Sequence, residues 1–161
     1  MKPRLRTRLL VAPRDLDYVE QFQLLAAVNL EMRRHGPTVD RLVRKAVLEM
    51  HVGNFSAALT AALDAATEDP TSAEAHYQAA RAYILLALNK ADVLPRGPGD
   101  VGAPEAGLEE LVRLAMEELR TVIRLNLKDE DALETFLLLE SLLESSRGEE
   151  QLAAALRAHV R

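Results

Sequence analysis

Apolar residues along this chain recur three and four positions apart, in runs separated by glycine, proline and short polar side chains. That is the spacing of amphipathic helices. The first run, over about 15–35, sets Tyr18, Phe22, Leu25, Val28 and Met32 on one face and stops at Gly36 and Pro37. The second, over about 38–52, carries Val39, Leu42, Val43, Ala46, Val47 and Met50, with Gly53 as its end. Asn54 is placed to cap a third, striped by Phe55, Ala58, Leu59, Ala62, Leu63 and Ala66 and closed by Asp69 and Pro70. Thr71 and Glu74 form a capping-box pattern ahead of a fourth, with Tyr77, Ala80, Tyr83, Ile84, Ala87 and Leu88.

The stretch 92–103 holds two prolines and three glycines and reads as an exposed, mobile loop inserted into the helical array. Pro104 suits the first turn of a fifth helix whose inward residues include Leu108, Leu111, Ala115, Leu119 and Val122. Asp129 caps a sixth, running to about Ser146. Gly148 separates it from a short last helix with Leu152, Ala153, Leu156 and Val160. The expected fold is all-α with about seven helices: a basic arm over 1–14, then one helical domain over 15–161.

Ala46 and Ala80 stand 34 residues apart, and a fixed period of that length marks stacked helical hairpins. Between them, Gly53, Phe55, Ala58, Ala65 and Pro70 form a glycine, aromatic, alanine, alanine, proline series. The residues have a physical reason: alanine lets helices approach closely, glycine turns the hairpin, and proline ends its second helix. Ser141, Gly148 and Ala153 repeat the spacing of Ala46, Gly53 and Ala58 near the end. The pattern over 39–88 resembles a tetratricopeptide repeat (TPR), with Leu42 where that family favours an aromatic and Lys45 where it favours leucine.

The resemblance implies antiparallel hairpins at the second and third, fourth and fifth, and sixth and seventh helices, stacked as a short right-handed array. The first helix would then pack across an end or groove. It also implies a concave groove lined by the first helix of each hairpin, here Val43, Val47, Met50, Tyr77, Arg81, Ile84, Leu138 and Leu142. Such a groove suits a partner helix or an extended apolar segment.

Composition narrows the chemistry. The 161-residue chain is 48% hydrophobic but only 4% aromatic, as small helix interfaces require. It has no cysteine, so disulfides, thiolate metal sites and cysteine nucleophiles are excluded. The apolar run 9–12 is too short for a signal-peptide core, and the leucine-rich stretch 135–143 is far too short to span a membrane. A cytoplasmic protein is expected.

His35, His51, His76 and His159 stand apart from one another, and neighbouring carboxylates such as Glu109 with Glu110 diverge on a helix. Neither a catalytic site nor a metal or cofactor site is expected. The sixth helix, with Leu133, Phe136, Leu137, Leu138, Leu139, Leu142 and Leu143, is more apolar than one stripe requires, which points to a homodimer through the leucine-rich end. A protein-protein interaction or scaffold module is the leading expectation.

The alternative is a regulatory nucleic-acid-associated protein that uses the arm, where an extended backbone would project Arg4, Arg6 and Arg8 from one face, followed by Arg14. The net charge of −5 and the absence of aromatic residues from the arm argue against it. A third possibility is an enzyme or ligand-binding bundle whose polar groups converge only in three dimensions.

Overall fold

Hydroxyl, carboxylate and glycine residues at the expected breaks set the helix boundaries. The structure, a computed structural model, describes residues 18–95 and 106–160. Among these residues there are seven helices and no strand: α1 (Tyr18–His35), α2 (Val39–His51), α3 (Phe55–Glu68), α4 (Ala73–Lys90), α5 (Leu108–Leu125), α6 (Glu130–Ser145) and α7 (Glu149–Val160). The expected all-α class and its seven segments are what the described residues form. The arm residues Arg4, Arg6, Arg8 and Arg14, the segment 96–103 and Pro104 lie outside the described residues.

Thr38 Oγ1 accepts from the Arg41 N–H (3.3 Å) and starts α2. At its other end the Gly53 N–H donates to the Met50 carbonyl (3.1 Å) and the Asn54 N–H to the Glu49 carbonyl (2.8 Å), a Schellman closure that needs the positive φ of Gly53. The same closure ends α4, with the Val93 N–H donating to the Leu88 carbonyl (2.9 Å) and Asp92 in the left-handed conformation. Asp129 caps α6 as expected, its Oδ1 accepting from the Ala132 N–H at 3.0 Å.

Three local expectations change. Asn54 stands at the start of α3 but caps nothing with its side chain, because its Nδ2 donates to the buried Glu49 carboxylate (2.7 Å). A buried charge takes the available donor. The capping role expected of Thr71 passes to Ser72, whose Oγ accepts from the Ala75 N–H (3.2 Å). Thr71 donates both its hydroxyl and its N–H to Asp69 (2.7 and 3.0 Å), and these bonds hold the Asp69 carboxyl below its usual range. The buried face of α1 is Gln21, Leu25 and Val28, with Met32 half-buried, while Phe22 is 43% exposed. Leu25, Val28 and Met32 of the expected stripe hold this face, and Gln21 takes the place expected of Phe22.

Each helix packs on the next in sequence from α1 to α7, α2 also touches α4, and α7 returns onto α4 and α5. The hairpin stacking is thus carried by neighbour contacts, with a closing turn at the α7 end. The main core joins Ala46, Ala58 and Ala62 to the α4 alanines and to Leu111, Leu119, Leu139, Leu152 and Leu156. Helix α1 sits on α2 through a smaller cluster of Leu25, Val28, Leu48 and Val52. The first turn of α5 has no capping side chain of its own, and the Leu108 N–H donates instead to Glu149 Oε1 of α7 (2.9 Å). That bond ties the last helix to the start of α5.

Ala46 and Ala80 are fully buried at helix contacts. Ala46→Leu and Ala80→Leu should each lower the unfolding free energy by roughly 1–3 kcal/mol in urea titrations, whereas Ala26→Leu, on the exposed side of α1, should stay within about 0.5 kcal/mol. Glu149→Ala should cost on the order of 1 kcal/mol through the lost cap.

Candidate interaction surfaces

The residues expected to line a groove do not form one. Val43, Val47 and Tyr77 are half-buried, but Met50, Arg81, Ile84, Leu138 and Leu142 are buried, Ile84 to 2% exposure. Helix α4 packs against α2, α3, α5 and α7, so every residue from Gln78 to Leu88 is covered. Leu138 and Leu142 face the main core rather than solvent. Five of the eight residues therefore serve packing, which corrects the groove assignment.

A polar row does run along α4. Arg81, 7% exposed, donates from Nη1 to Gln78 Oε1 (3.0 Å), and Gln78 Nε2 donates to Glu74 Oε1 (2.7 Å). Burial depresses the Arg81 pKa, while the charges of Tyr77 and Glu74 oppose that shift. His51, at the end of α2, is pushed down by burial and then by the Arg81 charge, and its buried Nδ1 has no hydrogen-bond partner among the described residues. His76 bridges elements: Nδ1 meets Glu118 Oε2 of α5 at 2.7 Å and Nε2 meets the Pro70 carbonyl at 2.9 Å. The His76 bridge depends on which helices become neighbours and is not visible in sequence, whereas the Arg81 row follows the i, i+3 and i+4 spacing of α4 and only its burial depends on the neighbours. Among the described residues no group of three or more histidines and carboxylates is placed to hold a metal ion.

Open apolar surface lies instead at the two ends of the array. Leu24, Ala27 and Val28 of α1 face Leu48 of α2 across a cleft of about 350 Å³, with Glu31 and Arg44 at its rim. Glu31 stands 3.9 Å from Arg41 and 3.8 Å from Arg44, separations that contribute little at an exposed site. On the other flank of α1, Met32, Arg33, Pro37 and Lys45 border a second cleft of about 470 Å³. At the far end, Leu133 and Leu137, one turn apart on α6, are 45% and 52% exposed. Leu125 at the end of α5 and Leu127 in the α5–α6 turn are exposed as well, and Arg120 lies 5.4 Å over the Phe136 ring. The surplus of leucine on α6 was visible in sequence. The α1–α2 cleft was not, because the face that α1 turns to α2 depends on burying Gln21 in preference to Phe22.

No described helix is long and apolar enough to cross a membrane. Comparison of the chain with protein-family models, with curated proteins and with solved structures found no match.

His51 makes stability depend on pH. With its pKa below the ordinary 6.5 in the folded chain, the unfolded chain takes up the proton more readily. This group has no effect well above pH 6.5 and lowers stability as the pH falls through that value toward the depressed one. The loss in urea midpoint between neutral pH and about pH 5 should be smaller in His51→Gln than in the wild type. An identical loss in both would remove His51 as its source.

Proposed function

We propose that the chain is a TPR-like, non-enzymatic interaction module of the cytoplasm that binds a polypeptide helix in the cleft between α1 and α2. The carrying observation is that cleft, with Leu24, Ala27, Val28 and Leu48 forming an apolar floor beside Arg44 and Glu31. A partner helix presenting apolar side chains at i, i+3 and i+4 fits a floor built on the same periodicity. The rim charges then select its flanking residues and its direction.

The TPR-like description is supported by the 34-residue step from Ala46 to Ala80 and by the contact of α2 with α4. These are the first helices of successive hairpins, which touch in such a stack. The cytoplasmic assignment is supported by the lack of cysteine. Glu74, Gln78 and Arg81 lie along one face of α4 and hydrogen-bond to one another, a pattern that serves packing of this helix.

Cross-linking in cells followed by mass spectrometry tests the reading. Leu24→Glu and Ala27→Glu alter surface positions of the cleft, so their helical circular dichroism should match the wild type. Proteins captured by the wild type should fall by about tenfold or more with either variant, the effect of losing roughly 1.4 kcal/mol of binding. Undiminished capture of every protein by both folded variants would overturn the assignment.

A further inference from the structure

The identity of the helix that fills the α1–α2 cleft follows from the opposite end of the same molecule. Contacts run in chain order, with α1 on α2 and α6 on α5 and α7. Charge divides between the two ends. Between Glu31 and Lys45 there are five arginines and lysines against two carboxylates, while between Asp129 and Glu150 there are eight carboxylates against one arginine. Each end also carries exposed apolar side chains: Leu24 beside the cleft, and Leu133 with Leu137 on α6.

Resting on the cleft reading above, we propose that the occupant is α6 of a second copy of this chain, docked head to tail. Leu133 and Leu137 lie one helical turn apart and enter the cleft over Leu24 and Val28, which have the same i, i+4 spacing on α1. The carboxylates flanking the leucines, Glu130 and Glu134 among them, then approach Arg44 at the rim and Arg41 beside it, both of which stand within 4 Å of Glu31. Arg44, 62% exposed and 3.8 Å from Glu31, has guanidinium N–H groups left to donate to a further carboxylate, whereas Arg41 also donates to the Gly36 carbonyl (3.2 Å).

A symmetric pairing through α6 would bring together two copies of a segment, 129–150, that carries eight carboxylates and one arginine. Pairing through α1 and α2 would oppose two cationic corners. Like-charge juxtaposition disfavours both, and the complementary pairing is the heterologous one. Such a contact uses different surfaces on the two copies, so each added copy leaves one cleft and one α6 face free. The assembly grows into an open chain or closes as a ring.

Sedimentation velocity on the full chain, with two doubly substituted variants, tests this. Leu24→Glu with Arg44→Glu blocks the cleft, and Leu133→Lys with Leu137→Lys blocks the α6 face. All four positions are at the surface or rim, and helical circular dichroism verifies folding. The wild type should gain mass with concentration, and more strongly at low salt. Each variant alone should associate at least about tenfold more weakly, and an equimolar mixture of the two should form a dimer that grows no further, from the one intact cleft and the one intact α6 face.

A wild type that stays monomeric, a cleft-blocked variant that dimerises alone through α6, or a mixture that stays monomeric would each overturn the proposal. If the wild type is monomeric but Leu24→Glu still loses a captured protein, the cleft reading stands and only the identity of its occupant falls.

Discussion

A helix covered on every side must satisfy two demands at once: its neighbours have to come close, and any polar group it carries needs a partner inside. Between Gln78 and Leu88, α4 is such a helix. Ala79, Ala80, Ala82 and Ala87 meet the first demand, and the Arg81–Gln78–Glu74 row helps to meet the second. Helices α2, α3, α5 and α7 are all arranged about this segment. Their amphipathic faces are the surfaces that cover it, and the buried leucines of α5 and α7 extend the core that it begins.

Concentrating burial in the middle leaves the ends with apolar surface to spare. Helix α1 contributes a small cluster with α2 rather than a share of the main core, and α6 turns only one of its leucine faces inward. Stability and the proposed recognition therefore fall on different residues. Substitutions at Ala46, Ala80 or Leu119 act on the stack itself, whereas Leu24, Arg44, Leu133 and Leu137 can change with the stack intact. A helical array suits this division, because neighbour contacts confine the effect of a change at one end.

Helix boundaries were legible because the residues that make them act locally. Gly53 reaches its positive φ and Asp129 its cap through bonds within a few residues. Even so, the cap expected of Thr71 falls to Ser72, since the Asp69 carboxylate takes both Thr71 donors and leaves the next hydroxyl to cap. The surface was less legible. A periodic stripe shows that a helix has an apolar face but not how many neighbours cover it. Ile84 and Leu138 therefore looked like groove residues until the return of α7 and the packing of α6 filled their surroundings. The excess of leucine on α6 was readable because Leu133 and Leu137 lie beyond any single stripe. The cleft was not, because its opening depends on how α1 is rotated on α2.

A central helix holds the molecule together, and its two ends carry the exposed apolar surfaces that are proposed to bind. Hydrogen exchange followed by mass spectrometry across a concentration series tests that division most directly. Amides of residues 78–88 should exchange only through global unfolding, α1 should open locally at lower cost, and rising concentration should slow exchange at α1–α2 and α6 together. Equal protection of α1 and α4 at low concentration, or concentration-dependent protection at α3 and α4 without change at the ends, would contradict it.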